Sequence, residues 1–232
     1  MDGPSPVVPD SQWEALLAMY NLRADVQQHI AAAEESATLA ARHPEDRFLQ
    51  IFTARTAYYL AHRLKDSAAR RTTALRGVDA ASRALQADPA DYDARYWHAL
   101  TTFRAREAEG IAAALKGAGV ARDYMTSMLR DAPDRFEAYM LLGVLYRELP
   151  PLISFGDKKK AMAHLEEGAR LAPHDPEMLL ELAAGYRKVG RKREARATYQ
   201  KVIDESTAPP YGEWEAEDAR QYARKMLNKI LF

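Results

Sequence analysis

The chain has 232 residues, and its 33 lysines and arginines balance its 33 aspartates and glutamates, so the formal net charge is zero. Balanced charge argues against a general attraction to nucleic acid or to anionic surfaces, and we expect no nucleic-acid partner. The absence of cysteine excludes a disulfide framework, a cysteine-ligated zinc site and a thiol nucleophile. No apolar run is long enough to cross a bilayer, so the sequence predicts no transmembrane segment.

The first ten residues differ in character from the rest of the chain. Residues 1–10 contain three prolines and no apolar periodicity, which predicts a disordered lead. They also lack the basic and apolar regions of a signal peptide. Two localisations stay open: a cytoplasmic protein with a short lead, or a periplasmic or envelope protein whose signal has been removed.

Helical patterns begin directly after this lead. Ser11 and Glu14 have the spacing of a capping box, which predicts the start of a first helix. Asp25 predicts the start of a second helix, which ends near Pro44. From there the prolines that follow each helical pattern mark units: Pro44, Pro89, Pro133 and Pro173.

The spacing of these prolines gives the length of each unit. Successive prolines are 45, 44 and 40 residues apart, and the last unit closes near Thr207, after 34 residues. We expect the extra residues of the earlier units in the turns inside them, at 62–71, 107–119 and 150–155. The predicted units are therefore about 11–44, 45–89, 90–133, 134–173 and 174–207.

Two consecutive units carry the same residue pattern. The first has Tyr139, Leu142, Gly143, Tyr146, Ala161 and Leu165, and the second has Leu179, Leu182, Ala183, Tyr186, Ala195 and Tyr199. This is the helix–turn–helix pattern of the tetratricopeptide repeat (TPR), in which small residues let the two helices of a unit touch.

The predicted fold is all-α: a TPR-like right-handed helical solenoid of about five helix pairs plus a C-terminal capping helix over about 212–231. Residues 11–232 then form a single solenoid domain, because stacked repeats share one continuous core.

The combination of long units and an inserted Pro-Pro segment is similar to one known family. Pro150 and Pro151 precede Phe155, Gly156, Asp157 and Ala161, with Pro173 and a capping helix after them. This combination resembles the T-component of TRAP-type transporters, a bacterial envelope TPR protein, and the related TPR domain of the microtubule-dynamics regulator family. The resemblance covers roughly residues 45–231. Phe155 replaces a glycine that the transporter family often has, and no lipid-acceptor cysteine is present.

The inner face of a TPR solenoid is lined by the first helix of each pair, and here that face is rich in aromatic and arginine residues. These side chains predict a groove for a partner or a ligand, although a closed superhelix would make the same rings core. The predicted groove residues are Phe52, Arg55, Tyr58, Tyr59, Tyr96, Trp97, Phe103, Arg104, Met140, Val144, Arg147 and Arg187. The predicted insertion contacts are Pro150, Pro151, Leu152, Ile153 and Phe155.

No catalytic or metal-ligand motif occurs, so we expect neither an enzyme nor a cofactor. The sequence predicts a non-catalytic adaptor that binds another protein. The T-component resemblance implies that this partner is a transporter's periplasmic solute-binding protein. The alternative is a binder of a small apolar or acidic ligand in a cavity lined by aromatic and arginine residues. A homo-oligomer is also compatible with the alanine-rich faces.

Overall fold

The computed structural model describes residues 7–207 and 213–230, and every regular element in that part is an α-helix. The helices are α1 (Asp10–Asn21), α2 (Val26–Arg42), α3 (Arg47–Arg63), α4 (Ser67–Ala87), α5 (Tyr92–Glu107), α6 (Ile111–Asp131), α7 (Phe136–Glu148), α8 (Lys158–Leu171), α9 (Pro176–Lys188), α10 (Lys192–Glu205) and α11 (Glu213–Ile230). The predicted all-α fold with five helix pairs and a last helix is confirmed.

The chain divides into two compact parts within α6, one ending at Ala121 and the next beginning at Arg122. We call these two parts the first unit and the second unit. In the first unit α1 packs on α2, α2 on α3, α3 on α4 and α4 on α5. In the second unit α7 packs on α8, α8 on α9, α9 on α10 and α10 on α11. The predicted single domain over 11–232 stays a prediction.

Three first helices begin at the same chemical signal. Asp46, Asp91 and Asp175 are N-caps, and each accepts a hydrogen bond from the backbone N–H three residues on, at 2.8–3.0 Å. One predicted start is different. The Ser11 capping box does not form, because α1 begins at Asp10 with Pro9 as its N-cap. The N-cap of α7 is Arg135.

The repeats formed by α3 with α4 and by α5 with α6 are longer than the last repeat because their helices are longer. α3 and α4 have 17 and 21 residues and α5 and α6 have 16 and 21, whereas α9 and α10 have 13 and 14. These differences account for the 45- and 44-residue spacings, so the prediction of long turns at 62–71 and 107–119 is wrong. Only the unit with α7 and α8 has the predicted insertion, because its helices have 13 and 14 residues and residues 149–157 connect them.

Small residues set how closely the paired helices approach. A Cβ atom added to Gly143 on α7 would lie 2.5 Å from Leu165 Cγ and 3.3 Å from the Ala161 carbonyl oxygen on α8. In the first unit, a Cβ at Gly77 on α4 would lie 3.3 Å from the Ala54 carbonyl oxygen of its partner α3 and 2.6 Å from Thr101 Cγ2 of α5. Neither position has room for a side chain, so backbone-to-side-chain packing holds these pairs together.

A buried polar residue takes the place of an apolar one in an earlier repeat. Gln50 lies six residues after Pro44, as Tyr139 and Leu179 lie six residues after Pro133 and Pro173, and it is fully buried. Its Nε2 donates to the Ala40 carbonyl oxygen at 2.8 Å, which is near the end of α2. Gln50 therefore joins two units by satisfying a helix-terminal acceptor, where the later units use apolar packing.

Residues 7–10 depart from the predicted disordered lead. Val8 is 1% exposed and belongs to a core cluster with Leu16 and Tyr20. The Val7 N–H donates to Asp46 Oδ2 at 2.9 Å. The rest of the predicted lead, residues 1–6, lies outside the described residues.

The last described helix has the role predicted for a cap. Ala219, Ala223 and Met226 of α11 pack with Leu179 of α9 and Val202 of α10 in one apolar cluster. The opposite positions of α11 are exposed, as expected for a helix that covers the end of a stack. Residues 212 and 231 of the predicted cap lie outside the described part.

Two arginines, Arg23 and Arg63, connect the turn between α1 and α2 to the end of α3. Arg23 is 1% exposed, lies 3.9 Å from the centre of the Tyr20 ring and donates to the Tyr20 carbonyl. Arg63 donates to the carbonyls of Arg23 and Ala24. Its guanidinium also lies 3.2 Å from Nδ1 of His29. Burial, followed by the nearby charges of Arg63 and Arg23, lowers the pKa of His29 to about 4.

We expect Gly143→Ala to destabilise the fold by about 1–2 kcal/mol, because overpacking costs roughly 1–3 kcal/mol and the better helix propensity of alanine returns part of it. Gly119→Ala on α6 is the matched control, because a Cβ there meets no atom within 4 Å. Urea denaturation of the unaltered chain and of the two variants measures the change in the free energy of unfolding. Equal midpoints for Gly143→Ala and Gly119→Ala would show that the close approach of α7 and α8 is not needed.

His29 should make stability depend on pH. Its contribution is fully present above the unfolded-state pKa near 6.5 and is lost as the pH falls toward the folded-state pKa of about 4. Over that window we expect a loss of about 3 kcal/mol from this residue. In His29→Gln, denaturation between pH 7 and pH 4 should show a correspondingly smaller loss. The same pH dependence in both chains would exclude this role.

Candidate functional site

The predicted groove residues lie on the first helix of each pair, as expected, but three of them are buried in the core. Phe52 and Tyr96 are 7% exposed, and Met140 is 8% exposed. Phe52 makes edge contacts with the rings of Trp13 and Tyr20, whose centres are 5.2 and 5.0 Å away. The prediction that these three line an open groove is therefore corrected, because their side chains fill the interior between helices.

Five other predicted residues come together on α3 and α5 of the first unit. Arg55, Tyr58, Tyr59, Trp97 and Arg104 are each half-buried, and we name them the aromatic–arginine cluster. The ring centre of Tyr58 lies 5.3 Å from that of Tyr59 and 5.7 Å from that of Trp97, and Tyr59 lies 5.8 Å from Trp97. These are favourable edge and tilted geometries, so the three rings hold one another in place.

The arginines of the cluster lie against its rings. Arg104 is centred 5.1 Å from the Tyr58 ring, and Arg55 is 6.0 Å from the Tyr59 ring. Arg104 also donates to Glu107 Oε2 at 2.6 Å. Burial alone would lower the pKa of Arg104, but Tyr58 and Glu107 together raise it, so this guanidinium stays charged. The cluster thus combines fixed aromatic surface with oriented cationic groups.

Trp97 has a second role inside the first unit. It packs against two clusters of small buried residues, one formed by Ile51, Ala84 and Ala94 and the other by Ala54, Ala80 and Ala81. Its ring therefore rests on the core while one side contacts the two tyrosines. The remaining predicted residue of this unit, Phe103, lies beside Gly117 of α6.

In the second unit the predicted groove residues do not form a comparable cluster. Arg147 donates to the Glu181 carbonyl at 2.9 Å, to Glu181 Oε2 at 2.6 Å and to Glu148 Oε1 at 2.6 Å. Its side chain is only 8% exposed, so it joins α7 to α9. Val144 is half-buried and Arg187 is exposed.

The predicted insertion forms an ordered loop with an exposed tip. Pro150, Pro151, Leu152 and Ile153 are exposed, Leu152 by 97% and Ile153 by 71%. Phe155, by contrast, turns inward, and its ring centre lies 5.5 Å from that of Tyr146. Phe155 therefore holds the loop in place and is not a tip contact.

Sequence reasoning missed some of the residues around these sites. Arg122 lies 4.4 Å from the Phe155 ring centre, and its position in the middle of α6 gave no signal in the sequence. A cavity of about 190 Å³ also lies among α2, α3 and α4, where the sequence predicted none. Its lining is Ile30, Ala33, Glu34, Ala37, Thr53, Ala57, Leu60, Leu64, Ala69, Thr73 and Arg76. None of the predicted aromatic and arginine residues lines this cavity.

Within residues 7–207 and 213–230, no group of three or more histidine or acidic side chains is placed to hold a metal ion. None of the helices in this part is long and apolar enough to cross a membrane.

Solved structures similar to this one are TPR proteins. A thermophilic TPR protein from Thermus thermophilus aligns with a TM-score of 0.66 at 19% identity, over 92% of this chain and 99% of that one. The pilF protein of Pseudomonas aeruginosa aligns with a TM-score of 0.51 at 14% identity, over 95% and 92% of the two chains. At these identities the likeness establishes the fold. Comparison with curated protein sequences gave no match.

One protein family matches at the level of sequence. Its profile, described as regulator of microtubule dynamics protein 1-3, matches residues 27–154, from α2 to the tip of the insertion. The match includes α3 and α5, which carry the aromatic–arginine cluster. Because it extends over more than half of the chain, this TPR protein belongs to the regulator of microtubule dynamics protein 1-3 family.

Proposed function

We propose that this chain is a non-catalytic adaptor that binds another protein through the aromatic–arginine cluster of its first unit. The observation that carries the proposal is the packing of Tyr58, Tyr59 and Trp97 into one half-buried three-ring surface between two arginines. Tyrosine, tryptophan and arginine are the residue types that dominate binding energy at protein interfaces.

The packing of the cluster also lowers the conformational entropy that its side chains lose on binding. Each ring contacts the other two, and Trp97 rests on the small-residue core beneath it. Side chains that are already fixed lose little conformational entropy when a partner binds, so more of the buried area contributes to affinity. The partner that suits this surface offers apolar side chains that pack against the three rings.

The more specific form of the proposal names the class of partner. The insertion and the Phe155-Gly156-Asp157 segment support a role like that of the T-component of TRAP-type transporters. The partner would then be a transporter's periplasmic solute-binding protein, and the chain would function in the bacterial envelope. The family's description, which refers to microtubule dynamics, suggests the competing possibility of a cytoskeletal partner.

The alternative of a small-ligand binder has less support. It requires a cavity lined by aromatic and arginine residues, and the cavity among α2, α3 and α4 has a different lining. Native mass spectrometry of the purified chain tests this alternative, because a bound small molecule would add a discrete mass.

We expect Tyr59→Ala to weaken partner binding by at least about tenfold, because truncation of an interface hot spot typically costs about 2 kcal/mol or more. The measurement is quantitative capture of the solute-binding protein from host envelope and cytosolic extracts on the immobilised chain. Tyr222→Ala on α11 is the control, since this tyrosine is 44% exposed and far from the cluster in sequence.

Unchanged capture by a folded Tyr59→Ala chain would exclude the cluster as the binding site. Recovery of a cytoskeletal protein, sensitive to Tyr59→Ala, would retain the adaptor function and overturn the transporter role.

A further inference from the structure

The second unit carries a surface that the proposed partner site does not use. Leu152 and Ile153 are adjacent, and their exposure of 97% and 71% contrasts with the burial of most large aliphatic residues in this unit. Two neighbouring aliphatic side chains in water are unfavourable compared with the same side chains in an apolar environment. We name residues 150–153 the loop tip.

The loop tip is held outward by a rigid base. The Asp157 N–H donates to the Tyr146 carbonyl at 2.9 Å, which ties the end of the loop to α7. Phe155 packs against Tyr146, and the Arg122 guanidinium lies 4.4 Å from the centre of the Phe155 ring. A Cβ at Gly156 would lie 1.8 Å from the Leu149 carbonyl oxygen, so only glycine allows this closure. The tip is thus a fixed projection.

Three exposed lysines follow the loop, at the start of α8. Lys158, Lys159 and Lys160 open α8 and are all exposed. Lys160 Nζ lies 5.5 Å from the Tyr146 ring, which places this lysine beside the loop base. None of these three lysines forms a salt bridge within the described residues. The turn therefore has an aliphatic tip and a cationic flank.

The neighbouring turn extends the same charge. Lys188 at the end of α9 lies 3.9 Å from Glu148 at the end of α7, so the turn after α9 lies beside the loop that follows α7. At that turn Arg191 binds Glu166 of α8 at 2.7 Å. The next two residues, Lys192 and Arg193, are exposed and form no salt bridge among the described residues.

The acidic groups at this edge are already held by other partners. Arg191 binds both Glu166 and Glu194, and Arg147 binds Glu148. Asp157 accepts the backbone N–H groups of Lys159 and Lys160 as the N-cap of α8. The edge therefore has a local excess of positive charge, although the whole chain is neutral. A surface charge acts over about a Debye length, roughly 8 Å at physiological salt, so the local excess is what a partner meets.

We propose that this edge docks on an anionic lipid surface, with Leu152 and Ile153 inserting at the interface and the lysines contacting headgroup phosphates. The types of residue on this edge favour a lipid surface over a protein partner. Lysine is depleted at protein interfaces and leucine is under-represented among their hot spots, whereas aliphatic insertion beside a basic run is the two-signal pattern of peripheral membrane binding. Each lysine near an anionic bilayer adds to the attraction.

The test measures co-sedimentation of the full chain with vesicles made of phosphatidylcholine alone or of equal parts phosphatidylcholine and phosphatidylserine. We expect binding to the anionic vesicles only, and weaker binding as salt is raised. Leu152→Ser with Ile153→Ser should lower the partition coefficient about tenfold or more. Lys158→Glu with Lys159→Glu should lower it by a similar factor.

The matched control replaces Ile111 and Val120 of α6 with serine. These aliphatic residues are 81% and 59% exposed and have no basic run beside them, so their loss should leave the partition coefficient unchanged. Circular dichroism verifies that each variant is folded.

Three outcomes would overturn the proposal: no binding of the unaltered chain to anionic vesicles, equal binding to both vesicle types, or loss of binding in the control. A fourth is loss of capture of a protein partner by the loop-tip variant with vesicle binding intact, which would make the tip a protein contact. Tyr59→Ala should not affect vesicle binding, so this test is independent of the proposed partner site.

Discussion

The close approach of paired helices is the constraint on which this structure depends. Gly143 and Gly77 leave no room for a Cβ atom, and the helices meet through alanines and glycines. Contacts of this kind bury little area per residue but place backbones at a fixed distance. Because the small residues form the inner seam of each pair, larger side chains on the same helices are available for other contacts. Tyr58 and Tyr59 of α3 are such side chains, since their rings contact Trp97 of α5.

Differences in unit length have separate structural consequences. Additional helical turns lengthen α3 to α6, and Arg63 and Glu107 lie in the added turns at the ends of α3 and α5. Arg63 stabilises the turn after α1, and Glu107 holds Arg104 of the aromatic–arginine cluster. In the second unit, the extra residues form a loop whose tip is exposed. The same fold thus gains a rigid aromatic face in one place and a projecting apolar tip in another.

The sequence predicted the fold well because its signals are local. Gly143 and its matching small residues gave the repeat pattern, and Asp25 marked the start of α2, where its side chain accepts hydrogen bonds from the Gln27 and Gln28 N–H groups. Local signals did not predict where added residues go. A stretch such as 107–119, which contains three glycines, is compatible with a turn or with a helix, and the structure has helix α6 from Ile111 onward.

The candidate site was only partly predictable. Phe52 and Tyr59 both lie on α3 and both fitted the inner-face frame, yet Phe52 is buried against Trp13 and Tyr20 while Tyr59 is half-buried. The difference in burial arises because α1 covers Phe52. The repeat pattern describes residues within a helix pair and does not show that α1 packs there. The tethering of Phe155 by Arg122 was unpredictable for the same reason.

The central claim is that stability and partner binding use different residues of the same helix, and a comparison of two truncations tests it directly. Urea denaturation should show that Phe52→Ala costs about 3–5 kcal/mol, because it removes a buried ring. Tyr59→Ala should cost only about 1–2 kcal/mol, because its ring is partly solvated in the free chain. A loss at Tyr59 as large as that at Phe52 would show that the cluster is core, and would contradict the account.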